Sequence, residues 1–191
     1  MLDIEKIKEV LQKRLTKKRY LHSLGVQQVA IKLAKVYNVC DKKASIAGLV
    51  HDCAKDFDDE MLLNYAMQFG ILIDSVSNHQ IQLLHGFVGA ELAKREFGIK
   101  DAEILSAIRF HTTGKENMTT LEKIIYLADY IEPSRNFRGI ENIRKVALSN
   151  LDKATLMAFD NTINYVILKG ELLHPNTIFA RNFLLLQKEV F

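Results

Sequence analysis

The chain has 191 residues, a formal net charge of +3 and two cysteines, so it is long enough to bury a core of its own without disulfide bonds. Its acidic and basic residues are interleaved, which argues against a general nucleic-acid-binding surface, and no window reaches the roughly 18 apolar residues of a membrane span. Because its start also lacks an apolar stretch of signal-peptide length, we expect a cytoplasmic protein with reduced thiols that binds neither nucleic acid nor membrane.

The predicted elements are all helices. Apolar residues recur at three- and four-residue spacing along most of the chain, which is the period of a helix with one buried face. Capping side chains such as Thr16, Asp58 and Asp101 start helices, and Gly70 ends one. The predicted helices span about 2–15, 16–37, 41–52, 58–69, 81–97, 101–111, 119–132, 140–149, 151–169 and 177–189. We interpret residues 71–80 as a loop, because their short apolar run has no second strand to pair with.

Ten helices and no strand predict an all-α fold. With two prolines, nine glycines and no low-complexity tract, the chain has few places for a linker between domains. We therefore expect residues 1–191 to form a single-domain helical bundle. Its core would span about 16–132, the helices of 140–189 would pack on that core, and a functional site would be built from inward-facing side chains.

Six side chains of metal-binding type lie on or beside the apolar faces of five predicted helices. They are His22, His51, Asp52, His85, His111 and Asp129. One such histidine alone is more often a satisfied core residue, but a buried carboxylate such as that of Asp52 needs a cation as its partner. Imidazole and carboxylate ligands without thiolates suit iron, manganese, cobalt, nickel or zinc. Together the six side chains predict a metal centre in the middle of the bundle.

The number of these side chains predicts two metal ions. Six ligands exceed what one catalytic metal with an open position requires, and a carboxylate such as that of Asp52 could bridge two ions, with a hydroxide held between them. Metal pairs of this kind lower the pKa of bound water and clamp the attacking and leaving oxygens of a phosphoryl group. We therefore expect hydrolysis of a phosphate ester or anhydride, with Asp52 and Lys55, one turn beyond His51, as catalytic residues.

These motifs resemble the HD-domain metal-dependent phosphohydrolases. His22, the adjacent pair His51 and Asp52, and Asp129 carry the superfamily pattern. His85 and His111 resemble the additional ligands of members with a binuclear centre. Over nearly its whole length the chain is similar to the YqeK-type family of symmetrical diadenosine tetraphosphate hydrolases. The matching stretches are residues 18–23, 51–55, 83–86, 108–114, 127–133 and 160–162.

The resemblance implies hydrolysis of diadenosine tetraphosphate to two ADP at a di-iron centre, by attack of a hydroxide that bridges the metals. The ligand sets implied by matching position are His22, His51, Asp52 and Asp129 for one metal, and Asp52, His85 and His111 for the other. The alternatives are a nucleotide phosphomonoesterase or cyclic-nucleotide phosphodiesterase of the same superfamily, and a nucleotide-binding regulatory module without turnover. The partner in each case is a small nucleotide, and a homodimer is one option for assembly.

A tetraphosphate bridge carries about four negative charges and needs cations besides the metals, preferably guanidinium groups that bind phosphate at two points. The loop after the Asp129 helix brings two arginines to the rim of the site, and the turn after His111 offers hydroxyl and N–H donors. The predicted phosphate contacts are Lys55, Thr112, Thr113, Gly114, Arg135 and Arg138, with Arg19 as a weaker candidate. Each could instead be a solvated surface charge or part of an ordinary turn.

Overall fold

The computed structural model describes residues 4–187. Within that range it contains helices and no strand, which confirms the all-α prediction. The α-helices are α1 (Ile4–Arg14), α2 (Lys17–Val36), α3 (Asp41–Val50), α4 (Asp59–Phe69), α5 (Ser75–His79), α6 (His85–Arg95), α7 (Ala102–Phe110), α8 (Thr120–Ile131), α9 (Ile140–Val146), α10 (Leu151–Lys169) and α11 (Pro175–Leu186), with a 3₁₀ helix (Ile81–Leu84) before α6. The predicted helix ends at 2 and 189 lie outside the described residues. Between residues 4 and 187, no helix is both long and apolar enough to cross a bilayer.

Side-chain caps start α2 and α8 at the residues that the sequence predicts. Thr16 accepts the backbone N–H of Arg19 at the start of α2. Thr119 and Glu122 form a reciprocal capping box at the start of α8. These bonds satisfy N–H groups that have no partner inside the helix. Both helices, each of which carries one predicted metal ligand, therefore begin at defined positions.

The stretch 71–80 is not entirely the loop that the sequence predicts, since Ser75–His79 form α5. Asp74 caps this helix, because its carboxylate accepts the N–H groups of Val76 and Ser77 and the hydroxyl of Ser77. A cap of this kind stabilises a short helix that has no apolar period. Periodicity alone therefore could not reveal it.

Several other boundaries differ from the prediction. The helix predicted to begin at 81 starts as a 3₁₀ turn and becomes α-helical at His85. The third helix ends at Val50, so the adjacent residues 51–52 lie in the turns that follow it. The last helix starts at Pro175 instead of 177, because proline is favoured in the first turn of a helix.

Two glycines let the helices beside the predicted ligands approach one another closely. A Cβ at Gly48 of α3 would lie 3.1 Å from Cα of Gln27 in α2. A Cβ at Gly86 of α6 would lie 2.7 Å from the backbone oxygen of Arg109 in α7. Because only glycine fits such approaches without a backbone shift, these two residues allow α3 to pack against α2, and α6 against α7.

The second half of α10 is exposed although it is apolar. Buried residues form a connected cluster that extends from Ile7 to Leu184, and α10 joins it through residues of its first half such as Phe159. Farther along the helix, Tyr165 is 58% exposed and Leu168 is 87% exposed. This half of the helix therefore presents apolar side chains to solvent.

Candidate metal centre

The six predicted ligands lie together at the centre of the bundle. Five of the six are buried, and only Asp129 is partly open, with 23% of its side chain exposed. The ligand atoms of His22, His51 and Asp129 all lie within 4.8 Å of one another, as do those of His51, Asp52 and His111. Side chains this close can share a cation. We call the six residues the His–Asp cluster.

Asp52 lies between two pairs of histidines. Its Oδ1 is 3.3 Å from Nε2 of both His85 and His111. Its Oδ2 is 3.4 Å from Nε2 of His51 and 3.7 Å from Nε2 of His22. The two oxygens of one carboxylate therefore face different imidazole pairs, which is the arrangement that a carboxylate bridging two cations requires.

The two ends of the cluster carry different side chains. At one end, Oδ1 of Asp129 lies 3.0 Å from Nε2 of His22. At the other end, Nε2 of His85 and Nε2 of His111 are 3.0 Å apart, and the hydroxyl oxygen of Thr112 lies 3.1 Å from both. We call these the Asp129 end and the Thr112 end.

Each of the four histidines directs Nδ1 at an acceptor outside the cluster. The acceptors are the backbone oxygens of Gly48 for His51, Gln82 for His85 and Ile108 for His111, and a carboxylate oxygen of Glu132 for His22. Because carbonyl oxygens only accept, Nδ1 carries a proton in the three histidines that face them, which leaves Nε2 as the nitrogen that can bind a cation. Such fixed tautomers are typical of histidines that bind metals.

The donor set of the cluster fits divalent metal ions. Nε2 of His22 and Nε2 of His51 are buried and have no hydrogen-bond partner among residues 4–187. Buried polar atoms are normally satisfied, and both nitrogens face carboxylate oxygens of the cluster, His22 that of Asp129 at 3.0 Å and His51 that of Asp52 at 3.4 Å. Cations in the cluster would satisfy these atoms, and mixed imidazole and carboxylate ligation suits several transition metals.

The surroundings also set protonation states that favour cation binding. Burial alone would raise the pKa of Asp52, but the neighbouring imidazoles hold that pKa well below its usual range, so the carboxylate is ionised. Burial lowers the pKa of His85 to about 4, so this ring is neutral at pH 7. His22 differs, because Asp129 and Glu132 outweigh the effect of burial and raise its pKa. At His22 a proton therefore competes with a cation.

Glu132, which the sequence did not single out, holds His22 in place. Its side chain is buried, and Oε1 lies 3.1 Å from Nδ1 of His22. Its Oε2 accepts the backbone N–H of Ser134 at 2.7 Å, and Oε1 accepts the Ser134 hydroxyl. The sequence did contain a signal for this role. Glu132 is an acidic residue between the end of the Asp129 helix and Pro133, so its side chain lies beside the site.

Two arginines pair with carboxylates of the cluster. Nη1 of Arg19 lies 2.7 Å from Oδ2 of Asp52, and Nη2 of Arg135 lies 2.7 Å from Oδ1 of Asp129. Arg19 was the weaker candidate in the sequence, yet it directly contacts the central carboxylate. Its spacing of three residues from His22 places both on one face of α2, a signal that could have ranked it higher.

Lys55 and Arg138, the other two basic side chains predicted to contact phosphate, differ in burial. Lys55 is in the turn after α3, and its Nζ is 3.4 Å from Nδ1 of His85. Burial lowers the pKa of Lys55 although the charges of nearby acids oppose the shift. Arg138 is exposed and lines a cleft that opens beside Asp129.

The predicted hydroxyl and backbone donors in the turn after α7 do not all face the cluster. Thr112 lies at the cluster. The hydroxyl of Thr113 donates to the backbone oxygen of Gly114 at 2.9 Å, and the N–H of Gly114 donates to that of Phe110 at 2.9 Å. The structure therefore brings Thr112 to the centre but leaves these two donors of Thr113 and Gly114 paired within the protein.

The chain is similar to known hydrolases over most of its length. The HD domain family matches residues 19–134. The chain is 40% identical to a Halalkalibacterium halodurans protein named bis(5'-nucleosyl)-tetraphosphatase, symmetrical, over 95% of the chain and 96% of that protein. It is 39% identical to the Bacillus subtilis protein of the same name, over 91% of the chain and 93% of that protein.

A solved structure gives a match over the same length. The crystal structure described as a predicted HD superfamily hydrolase involved in NAD metabolism, from Clostridium acetobutylicum, superposes with a TM-score of 0.95. Its sequence is 50% identical, and the match covers 98% of this chain and 100% of that chain. The arrangement of helices around the cluster is therefore shared with an HD hydrolase.

Proposed function

The chain belongs to the HD domain family, and from that premise we propose that it cleaves diadenosine tetraphosphate and related dinucleoside polyphosphates symmetrically, releasing two ADP. Relatives at 39–40% identity over most of the chain carry the name of this activity. The structural observation that carries the proposal is Asp52, whose two oxygens face different histidine pairs. Such a carboxylate suits a binuclear metal hydrolase of phosphoanhydrides.

Six side chains would hold two metal ions in two sets that share Asp52. The sets are His22, His51, Asp52 and Asp129, and Asp52, His85 and His111. When bound, such ions polarise phosphate oxygens and lower the pKa of water toward neutrality. We propose iron as the first choice, with manganese, cobalt, nickel and zinc as alternatives, because imidazole and carboxylate ligands accept each of them.

Three basic side chains would bind the phosphates. Arg19 and Arg135 now pair with carboxylates of the cluster, and metal ions bound there would neutralise those carboxylates and leave the guanidinium groups available to a polyphosphate. Guanidinium binds phosphate oxygens at two points. The mostly buried amine of Lys55 lies beside His85, where its positive charge would stabilise the charge that develops on the leaving phosphate.

Product analysis tests the proposal directly. The protein is loaded anaerobically with ferrous iron, incubated with diadenosine tetraphosphate, and the nucleotides are separated by chromatography. Two ADP per substrate is the expected result. AMP plus ATP would mean an asymmetric cut, and comparable turnover of a mononucleotide or cyclic nucleotide would favour the alternative phosphoesterase. Parallel loading with manganese, cobalt, nickel and zinc identifies the metal that supports the highest rate.

We also propose that residues 1–191 act as one domain in the cytoplasm. A connected set of buried residues from Ile7 to Leu184 supports the single domain. Neither cysteine of the chain forms a disulfide, and Cys40 is exposed. An exposed free thiol is typical of proteins from a reducing compartment.

A further inference from the structure

The exposed half of α10 separates two clefts. One cleft is bordered by Tyr165, and the other is bordered by Leu172 in the segment after the helix. Thr162 lies in the lining of both. We call them the Tyr165 cleft and the Leu172 cleft. Their shared wall is the exposed half of α10.

The Tyr165 cleft has the features of a nucleoside site. Its volume is about 680 Å³, and Asp129 of the His–Asp cluster is one of its lining residues. Tyr130 and Phe137 form part of its wall, with their rings 5.1 Å apart in an edge-to-face arrangement, and Asn161 contributes an amide. Aromatic faces stack on purine bases, and an amide can bind the edge of a base.

The Leu172 cleft reaches the other end of the cluster. Its volume is about 420 Å³, and its lining includes Thr112, whose hydroxyl contacts His85 and His111. Val166 and Leu172 supply apolar wall, and among the described residues no lysine or arginine lines it. A cleft without such cations suits an uncharged nucleoside better than phosphates.

The two clefts therefore meet the His–Asp cluster at opposite ends, one at Asp129 and one at Thr112, with Asp52 between them. Building on the proposed function, we infer that the substrate lies across the cluster with one nucleoside in the Tyr165 cleft and the other in the Leu172 cleft. This placement puts the middle of the tetraphosphate beside Asp52. The symmetrical cut then follows from the position of the cluster between two nucleoside sites on one chain.

Loss of one cleft should affect a substrate with two nucleosides differently from a substrate with one. Diadenosine tetraphosphate would occupy both clefts. Adenosine 5'-tetraphosphate would need only one, and either cleft could hold its nucleoside. Loss of one cleft should therefore reduce the kcat/KM of the first substrate more than that of the second.

Steady-state kinetics of three single variants test this difference. Tyr165→Ala removes an aromatic wall, Leu172→Ala removes an apolar wall, and Ile167→Ala is the matched control, since Ile167 is 61% exposed on α10 and lines neither cleft. We expect kcat/KM for diadenosine tetraphosphate to fall about tenfold in Tyr165→Ala and about fivefold in Leu172→Ala, as for loss of a stacked base or an apolar contact. The control should match the wild type.

The kinetics with adenosine 5'-tetraphosphate test whether each cleft holds a nucleoside. For adenosine 5'-tetraphosphate, each single variant should lose only about twofold, because the intact cleft still binds the nucleoside. The Tyr165→Ala/Leu172→Ala double variant should lose about tenfold. Equal losses for both substrates in Leu172→Ala, or no loss for either, would overturn the inference.

The proposed function and the inference fail in different ways. A wild-type protein that releases no ADP from diadenosine tetraphosphate would refute the proposed function, and the inference with it. A wild-type protein that releases two ADP, with variants that do not distinguish the substrates, would refute only the two-cleft placement. Thermal unfolding of each variant verifies that these exposed substitutions leave the fold intact.

Discussion

Oε1 of Glu132 lies 3.1 Å from Nδ1 of His22, a residue 110 positions earlier in the chain. This contact places a buried carboxylate directly behind a predicted metal ligand. The position of Glu132 depends in turn on the end of α8, which cannot continue through Pro133. The end of one helix therefore orients a predicted ligand carried by another.

Glu132→Gln is expected to weaken metal binding. Glutamine keeps the shape of the side chain, but it lacks the negative charge that favours a proton on Nδ1 of His22. Loss of such a partner typically costs 10–100-fold in metal affinity or activity. Metal content after dialysis and kcat/KM measure the effect, with Glu60→Gln on the exposed face of α4 as the control. Unchanged metal affinity and activity in Glu132→Gln would show that His22 does not depend on this contact.

Asp52→Asn should remove both of the proposed metal ions, because each oxygen of Asp52 faces a different histidine pair. We expect turnover to fall by more than roughly 100-fold, the upper end for loss of a group that acts only through a ligand. Elemental analysis gives the number of metal ions per chain. Asp152→Asn, which affects a carboxylate paired with Lys123, is the control. An Asp52→Asn protein with two bound metals would contradict the bridging role.

Arg144 is expected to support the site from outside it. Its guanidinium donates to the backbone oxygens of Ile131, Glu132 and Arg135 at 2.9, 2.7 and 3.0 Å, so it fixes the loop that carries two residues of the site. Arg144→Ala should lower kcat/KM by roughly 10–100-fold, like other losses of support behind ligands. Arg144→Lys should restore little, because an ammonium cannot span three carbonyls as a planar fork does.

Added guanidinium distinguishes positioning by Arg144 from a general loss of stability. Millimolar guanidinium should recover part of the activity of Arg144→Ala and none of that of Arg144→Lys, whose side chain fills the space. Activity that stays low in Arg144→Ala while the unfolding temperature is unchanged would also point to positioning. Wild-type kcat/KM in Arg144→Ala would show that the loop holds its conformation without this residue.

Gly114→Ala should destabilise the fold strongly. Gly114 has φ +67°, and an added Cβ would lie 2.6 Å from Cζ of Phe159. Strain at positive φ and overpacking together predict a loss of about 2–5 kcal/mol in the free energy of unfolding. Gly70→Ala is the matched control, because Gly70 has φ +66° with nothing within 4 Å, so only about 1–2 kcal/mol should be lost. Urea denaturation compares the two, and equal losses would refute the packing argument.

Cys53 is expected to resist thiol reagents in the folded protein. It is fully buried, and burial raises its pKa to about 12, so almost no thiolate is present at pH 8. Cys40 is exposed. A colorimetric thiol assay at pH 8 should therefore detect one fast thiol per chain and a second only after denaturation, because the thiolate is the reactive form. Two fast thiols in the native protein would mean that the segment around Cys53 opens readily.

Much of the fold and the inventory of the site can be predicted from the sequence. The apolar period and the caps at Thr16 and Thr119 are local properties, so they place helices without knowledge of the remaining chain. The same local pattern turns His22, His85 and His111 inward. The apolar pattern does not predict the short helix α5, because Asp74 stabilises that helix by capping its start and no apolar face is needed.

The tertiary structure alone decides which of these side chains meet. The separation of Oδ1 and Oδ2 of Asp52 between two histidine pairs depends on how closely the helices approach at Gly48 and Gly86. The contacts of Glu132 and Arg19 with the cluster, and the clefts beside α10, arise in the same way. Residue type and helical period depend only on positions close together in the sequence. Distances between side chains on different helices depend on packing across the whole core.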